Sequence, residues 1–382
     1  MHQYNEGAPR LKTRAALMAT PGADWTVESI DLDGPRAGEV LVRFTHAGLC
    51  FSDEHLRHGS LSDLPVVGGH EGAGIVEEVG AGVTRLSAGD HVAASFIPAC
   101  GRCPWCARGR SNLCDTAANG PGMADPATFR FSRDHEPLPG NCGLGTFAEY
   151  AVVSQDSLVE VDPDIPLNVV AVVSCGVLTG WGAAVHTGAI SAGDTVVVVG
   201  GGGVGVNAIQ GARSIGAQTV VLADPNPAKE PIARTFGADE VFSSVESAAE
   251  YVQRINPTAN GADAVIVATG DTSTEIVSAS FAATGKAGTL VLAGMSSDVE
   301  AINVQLPGTQ LVFGEQRIQG AIYGSCSPVV EIPRILSLYR RGRIKLDELI
   351  SQTYALDSIN TGFDDLRRGK NLRGIIEHAR AS

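Results

Sequence analysis

The sequence predicts an α/β protein in two parts, a turn-rich antiparallel β domain followed by a parallel, doubly wound sheet. Three observations carry this reading. Up to about residue 161 the β-type runs are short and split by Gly and Pro: 39–47, 74–79, 91–96 and 147–153. Such spacing suits antiparallel strands joined by tight turns. From about Thr195 the texture changes to buried-strand runs separated by helix-like segments, an alternation that requires parallel pairing through crossovers. A chain of 382 residues is also longer than one core comfortably fills.

In the second part, runs 195–199, 219–223, 264–268 and 289–293 read as strands, and 206–215, 227–236 and 247–255 as helices. Pro225, Pro227 and Pro231 crowd the start of one helix, where the first turn tolerates proline. After about Gly320 the pattern leaves the wound sheet. Segments 332–341 and 362–368 read as amphipathic helices, and this tail is expected to return to the first domain.

Composition excludes several classes. An apolar fraction of 44% without low-complexity tracts or repeats describes a globular chain, and 46 Gly with 19 Pro describes one rich in turns. A formal charge of −14 opposes nucleic-acid backbones and anionic membranes. The longest apolar stretches, 169–178 and 195–206, fall short of the ~20 residues of a membrane helix. Arg10, Lys12 and Arg14 precede an apolar run, 15–19, that is too short for a signal-peptide core, so a cytoplasmic location is expected. In a reducing compartment, eight Cys in so long a chain read as metal-binding rather than as a disulfide scaffold.

The run 195–199 feeds directly into Gly200-Gly201-Gly202-Gly203-Val204-Gly205, in which Gly200, Gly202 and Gly205 fit G-x-G-x-x-G. Residues without Cβ permit the tight turn, the approach of a pyrophosphate and the helix–strand contact, and the helix start supplies amide donors. Asp224 closes the next strand, 19 residues beyond Gly205, where a carboxylate accepts from both adenosine-ribose hydroxyls. It would repel a 2′-phosphate, and no basic residue follows at once, so NAD is expected over NADP.

Cys100, Cys103, Cys106 and Cys114 place four thiols within fifteen residues, the clustering a closed, structural tetrahedral zinc site needs. Gly101, Pro104, Arg108, Gly109 and Arg110 around them are not core neighbours. A second set is dispersed: Cys50, the pair His70-Glu71, and Cys175. Two thiolates and one imidazole leave a fourth position open, as a catalytic zinc requires. Singly, a His on a glycine-rich turn or a Cys beside Val172 and Val173 is as well explained by packing.

Taken together, these contexts resemble the zinc-containing medium-chain alcohol dehydrogenases over essentially the whole chain: Gly-His-Glu-Gly at 69–72, the four-Cys lobe, Cys175, the glycine turn, Asp224, and Gly374 preceded by Arg373. The extent of 115–146 is similar to the long-loop branch with the class I and class III enzymes. Segments 95–103, 128–131 and 324–328 are similar to the nicotinoprotein, NDMA-dependent alcohol dehydrogenases of actinobacteria. The resemblance implies a GroES-like catalytic domain at 1–176 and a Rossmann NAD-binding domain at 177–322, with 323–382 returning to the first.

It also implies a mechanism and its residues. Cys50, His70 and Cys175 hold a catalytic zinc on which an alcohol ionises to alkoxide before passing hydride to NAD, with Glu71 near the metal as a transient ligand; with the four-Cys site this makes two zinc per chain. Ser52, the cofactor ribose and His55 carry the proton outward. Asp53 orients His70. Phe96, and Phe147 with it, line an apolar pocket. Gly200, Gly202, Gly203, Val204, Gly205, Asp224, Lys229 and Arg373 contact the cofactor, Lys229 at the adenosine ribose and Arg373 at the pyrophosphate. The expected partners are a small alcohol or aldehyde and an external redox acceptor, with a homodimer or homotetramer formed through 299–312. Phe51 departs from relatives that carry Arg or His there against the pyrophosphate. Arg130 and Arg133 keep open a glutathione-dependent formaldehyde dehydrogenase. A non-catalytic NAD-binding relative is the rival from another class.

Overall fold

The computed structural model describes residues 11–59, 64–117, 128–270, 272–296, 298 and 300–379. The chain divides into two compact units, Gly176–Cys326 in one and the segments on either side of it in the other.

The first unit is built on two sheets. One runs in the order Val66–Val67, Leu11–Met18, Thr26–Leu32, Phe131–Arg133, Glu136–Leu138. The other runs Leu158–Glu160, His91–Ala94, Gly72–Val79, Glu39–Gly48, Arg373–Glu377, Ile350–Ala355, with Tyr150–Ser154 also paired to Glu39–Gly48. Alternation places Val40, Val42 and Phe44 of Glu39–Gly48 in the core while Arg43 faces outward. Leu11–Met18 and Thr26–Leu32 escape the sequence reading; in the first, Ala15–Met18 are consecutively buried and leave no period-2 signal. Most of this unit is antiparallel, as expected. Its last two strands, Ile350–Ala355 and Arg373–Glu377, are instead parallel to each other, with the helix Ile359–Arg367 between them in sequence. They belong, with the helix Pro328–Arg340, to the segment that follows Cys326, and Arg373–Glu377 runs antiparallel to Glu39–Gly48.

Phe147 does not line a pocket. It is fully buried, its ring meeting Trp25 at 5.5 Å and Phe363 at 6.0 Å edge-on in a core cluster with Leu49 and Leu56. Of the long segment 115–146, residues 118–127 lie outside the described ones. Phe131–Arg133 and Glu136–Leu138 form a hairpin added to the first sheet.

The second unit is an all-parallel sheet in the order Glu240–Phe242, Thr219–Ala223, Thr195–Val199, Ala262–Val267, Thr284–Leu292, Arg317–Gly320. Buried valines fill Thr195–Val199, as a strand covered on both faces requires. The helix after it, Gly203–Ile215, stops at Gly216, which takes the left-handed conformation at φ 100°.

The apolar stretch that the sequence reading ended at residue 178 continues as helical backbone over Leu167–Thr187, 21 residues whose most apolar 18-residue window has a mean hydropathy of 1.7. By length and composition it could cross a membrane, but 83% of its most apolar window is buried inside the protein. Gly180 and Gly182, which look like interruptions in the sequence, are packing surfaces: a Cβ at Gly180 would collide with the Val204 carbonyl.

His378 follows the strand Arg373–Glu377 and is buried, its Nε2 donating to the Thr146 carbonyl at 2.9 Å. Burial, opposed by that carbonyl and aided by His46 and Arg14, pushes its pKa from 6.5 to about 4. Between those values the unfolded chain binds a proton that the folded chain refuses, so this histidine's contribution to stability is complete above about 6.5 and is lost as pH falls toward 4. Urea unfolding of His378→Asn should therefore show a stability–pH slope shallower than wild type by up to ~1.4 kcal/mol per pH unit in that window. Equal slopes would show that the histidine does not report there.

Candidate functional site

Three local structures deliver the dispersed ligand set. Cys50 caps the helix Phe51–Arg57, and its amide faces Asp53 Oδ2 at 3.4 Å. His70 and Glu71 directly precede the strand Gly72–Val79. Cys175 lies in a π-helical turn, Val173–Val177, the kind of inserted residue that rotates a side chain away from the regular helix face. Ser174 fastens that turn to the strand: its Oγ donates to the Ala171 carbonyl at 2.6 Å and accepts from the Gly72 amide at 3.1 Å.

The result is one buried cluster in which the ligand atoms of Cys50, His70, Glu71 and Cys175 all lie within 4.8 Å of each other. His70 Nδ1 donates to Asp53 Oδ1 at 3.1 Å. A carboxylate only accepts, so this bond leaves Nε2 for the cluster. Ser52 Oγ sits 3.1 Å from Cys50 Sγ and 3.2 Å from His70 Nε2. Phe96 lies edge-on to the His70 ring at 5.7 Å.

The charges are interdependent. The hydrogen bond with Cys175, against burial and with help from His70, holds Cys50 well below the ordinary thiol value, while the same bond and burial push Cys175 well above it. Burial opposes the charge on His70, but Asp53 and Cys50 overcome it and raise the histidine. Burial lifts Glu71 to about 7 in spite of Arg373, whose guanidinium pairs with Glu71 Oε2. Glu71 Oε1 is buried without a hydrogen-bond partner. Two thiols, an imidazole nitrogen and an unsatisfied carboxylate oxygen around one point suit a divalent cation of zinc's softness.

The other cluster holds four sulfurs, with Cys100 and Cys106 4.0 Å apart and Cys103 and Cys114 3.9 Å apart. Tetrahedral Zn–S bonds of about 2.3 Å imply sulfur separations of about 3.8 Å. Backbone amides already point at the sulfurs, Cys106 N to Cys103 Sγ at 3.4 Å and Cys100 N to Cys114 Sγ at 3.5 Å. The amides of Asp115 and Cys106 bring Cys103 down to about 6.

In the second unit, a Cβ on Gly205 would strike the Gly200 carbonyl, whereas one on Gly202 would meet nothing within 4 Å. The first glycine closes helix on strand, and the second leaves space at the helix start, where Gly203 and Val204 open the first turn. Asp224 Oδ2 accepts from the Gly201 amide at 2.7 Å and Oδ1 from the Asn226 amide at 2.8 Å. Lys229 ends a short 3-10 turn beside Gly201.

His55, expected to pass the proton outward, is buried, with Phe51 edge-on at 6.3 Å. Arg373 is buried against Glu71. Arg130 is buried and faces Glu39 at 2.8 Å, and the partly exposed Arg133 faces Glu28 at 3.4 Å. The pairing of Glu71 with Arg373 and the contacts of Ser174 and Asn141 carry no sequence signal of their own.

Such a fold, with a buried N/S/O cation site in one unit and a nucleotide-binding turn in the other, defines a metal-dependent oxidoreductase. Residues 36–163 match the alcohol dehydrogenase GroES-like domain, and residues 203–339 match the zinc-binding dehydrogenase family. A putative alcohol dehydrogenase D of Mycobacterium tuberculosis is 47% identical over 370 residues, covering 96% of this chain and 100% of its own. An NDMA-dependent alcohol dehydrogenase of Amycolatopsis methanolica is 45% identical over 372 residues, covering 97% and 100%. The crystal structure of benzyl alcohol dehydrogenase from Acinetobacter calcoaceticus superposes with a TM-score of 0.88 at 29% identity, covering 97% and 100%. The chain belongs to the zinc-dependent medium-chain alcohol dehydrogenase family.

Arg373→Met should destabilise the protein by about 3–5 kcal/mol in chemical denaturation, because it leaves a carboxylate buried without its cation. The double variant Glu71→Gln/Arg373→Met should recover much of the loss. No recovery would mean that packing, not charge, holds this pair.

Proposed function

We propose that this enzyme oxidises a small primary or secondary alcohol reversibly with NAD at the Cys50–His70–Cys175 cluster, and that the observation carrying the reading is the convergence of those three donors with Glu71 within 4.8 Å. Zinc held there supplies a Lewis acid that brings a hydroxyl pKa toward neutrality, and NAD supplies the two-electron acceptor. Asp53 keeps the proton of His70 on Nδ1, so that Nε2 faces the metal position. Ser52 Oγ takes the alcohol proton first. His55, three residues on along the same helix, takes it after the cofactor ribose and passes it outward. Phe96 offers an apolar wall, consistent with a small or aromatic alcohol of the kind named for the Acinetobacter relative. The four-Cys lobe takes a second, structural zinc.

Gly200, Gly202, Gly203, Val204 and Gly205 cradle the NAD pyrophosphate, and Asp224 and Lys229 hold its adenosine ribose. Arg373 Nε, buried without an acceptor, leaves one donor for an anionic ligand. The likeness to the NDMA-dependent relative supports a cofactor that stays bound and is reoxidised by an external acceptor. The enzyme works in the cytoplasm as a homo-oligomer. Its interface includes the edge strand Arg317–Gly320 and the neighbouring helix Gly308–Gly314, where Val312 and Phe313 are 70% and 83% exposed. Of the segment 299–312, Val299 lies outside the described residues.

Mass spectrometry of the native protein should find two zinc per chain, and Cys175→Ser should retain one and lose turnover. One zinc or none in the wild type would sink the reading. Denaturing the purified protein should release about one NAD per chain; an empty protein that turns over only with added NAD would remove the tightly bound cofactor.

Asp224→Ser removes the acceptor for the ribose hydroxyls and the charge that repels a 2′-phosphate. NAD affinity should fall about 10- to 100-fold, as expected for losing charged hydrogen bonds, and NADP should gain relative to it. Titrating each cofactor against protein fluorescence tests both; unchanged preference would take Asp224 out of cofactor selection.

A further inference from the structure

Asn141 is buried, and its Nδ2 donates to Asp53 Oδ1 at 3.1 Å, the same oxygen that receives His70 Nδ1. Its amide orientation follows from its neighbours. Asp53 only accepts, so nitrogen must face it, and Oδ1 is left to accept the Cys142 thiol at 3.5 Å. The loop that presents Asn141 is fixed from both ends. The Asn141 carbonyl accepts the Leu144 amide at 2.9 Å and the Gly145 amide at 3.2 Å, Leu144 is buried in the core, and Gly140 bridges to Val67. Cys142, Gly143 and Gly145 all take positive φ, which gives this short segment its own shape.

We propose that Asn141 is a positioning residue for the metal centre: its amide pins the Asp53 carboxylate, and through it sets the tautomer and aim of the His70 ring. The inference rests on the reading of Cys50, His70 and Cys175 as zinc ligands. With two donors on Oδ1 and the Cys50 amide at Oδ2, Asp53 is held against rotation. With Asp53 so held, His70 Nδ1 stays bonded to Oδ1 and Nε2 stays turned toward the cluster.

The test uses the full chain with its zinc. Asn141→Leu keeps the volume and removes the donor. It should weaken zinc at the Cys50–His70–Cys175 site about tenfold in chelator competition, the lower end of what losing an outer hydrogen-bond partner costs a metal site. It should also shift the d–d bands of cobalt substituted there, lower kcat with little change in KM, and leave the four-Cys zinc in place. Asn141→Gln, which keeps an amide donor, should restore part of the affinity. If Asn141→Leu does not fold, Asn141→Ser is read by the same measurements. Wild-type affinity and cobalt bands in the variant would overturn the inference. A wild type that holds zinc only at the four-Cys lobe would instead overturn the proposed function beneath it.

Discussion

Crowding two thiols, an imidazole and a carboxylate into one buried cluster is the constraint on which the rest of the first unit depends. Each of these groups must give up its proton, or keep its lone pair free, to hold a cation, and burial opposes charge on all of them. The protein answers with fixed partners. Asp53 stabilises a proton on the far side of His70, Arg373 faces Glu71, and the Cys50–Cys175 contact lets one thiol ionise at the other's expense. A cation of charge +2 would relieve the remaining imbalance, and the partnerless Glu71 Oε1 marks where it is felt.

The scaffold supplies those partners through rigid backbone rather than through long side chains. A helix cap presents Cys50, a strand entry presents His70 and Glu71, and a π turn presents Cys175, with the Ser174 hydroxyl tying the turn to the strand. A ligand set spread over three chain segments cannot be built by any one of them. Its precision comes from sheet register: Arg373–Glu377 pairs with Glu39–Gly48, which pairs in turn with Gly72–Val79, so the strands flanking Arg373, Cys50 and His70 are fixed against each other.

The nucleotide turn obeys a simpler rule. Space and donors at a helix start are local properties, so a strand followed by properly spaced glycines specifies them without distant help. The collision at Gly205 and the open space at Gly202 come from the same six residues that carry the motif.

By itself the sequence determined what depends on short range: the strands Thr195–Val199 and Thr219–Ala223 to the residue, the glycine turn, and the four-Cys lobe, all features whose spacing is their physics. It named the dispersed ligands through their contexts but could not say that they meet. Tertiary structure alone decided that Phe147 is core, that Arg130 and Arg133 face carboxylates, and that Leu167–Thr187 is one buried helix. It also decided that Asn141 meets Asp53 and that Arg373 pairs with Glu71. These depend on contacts between residues tens to hundreds of positions apart, and an aromatic, an arginine or an asparagine looks the same in the chain whether its partner lies across the core or in water.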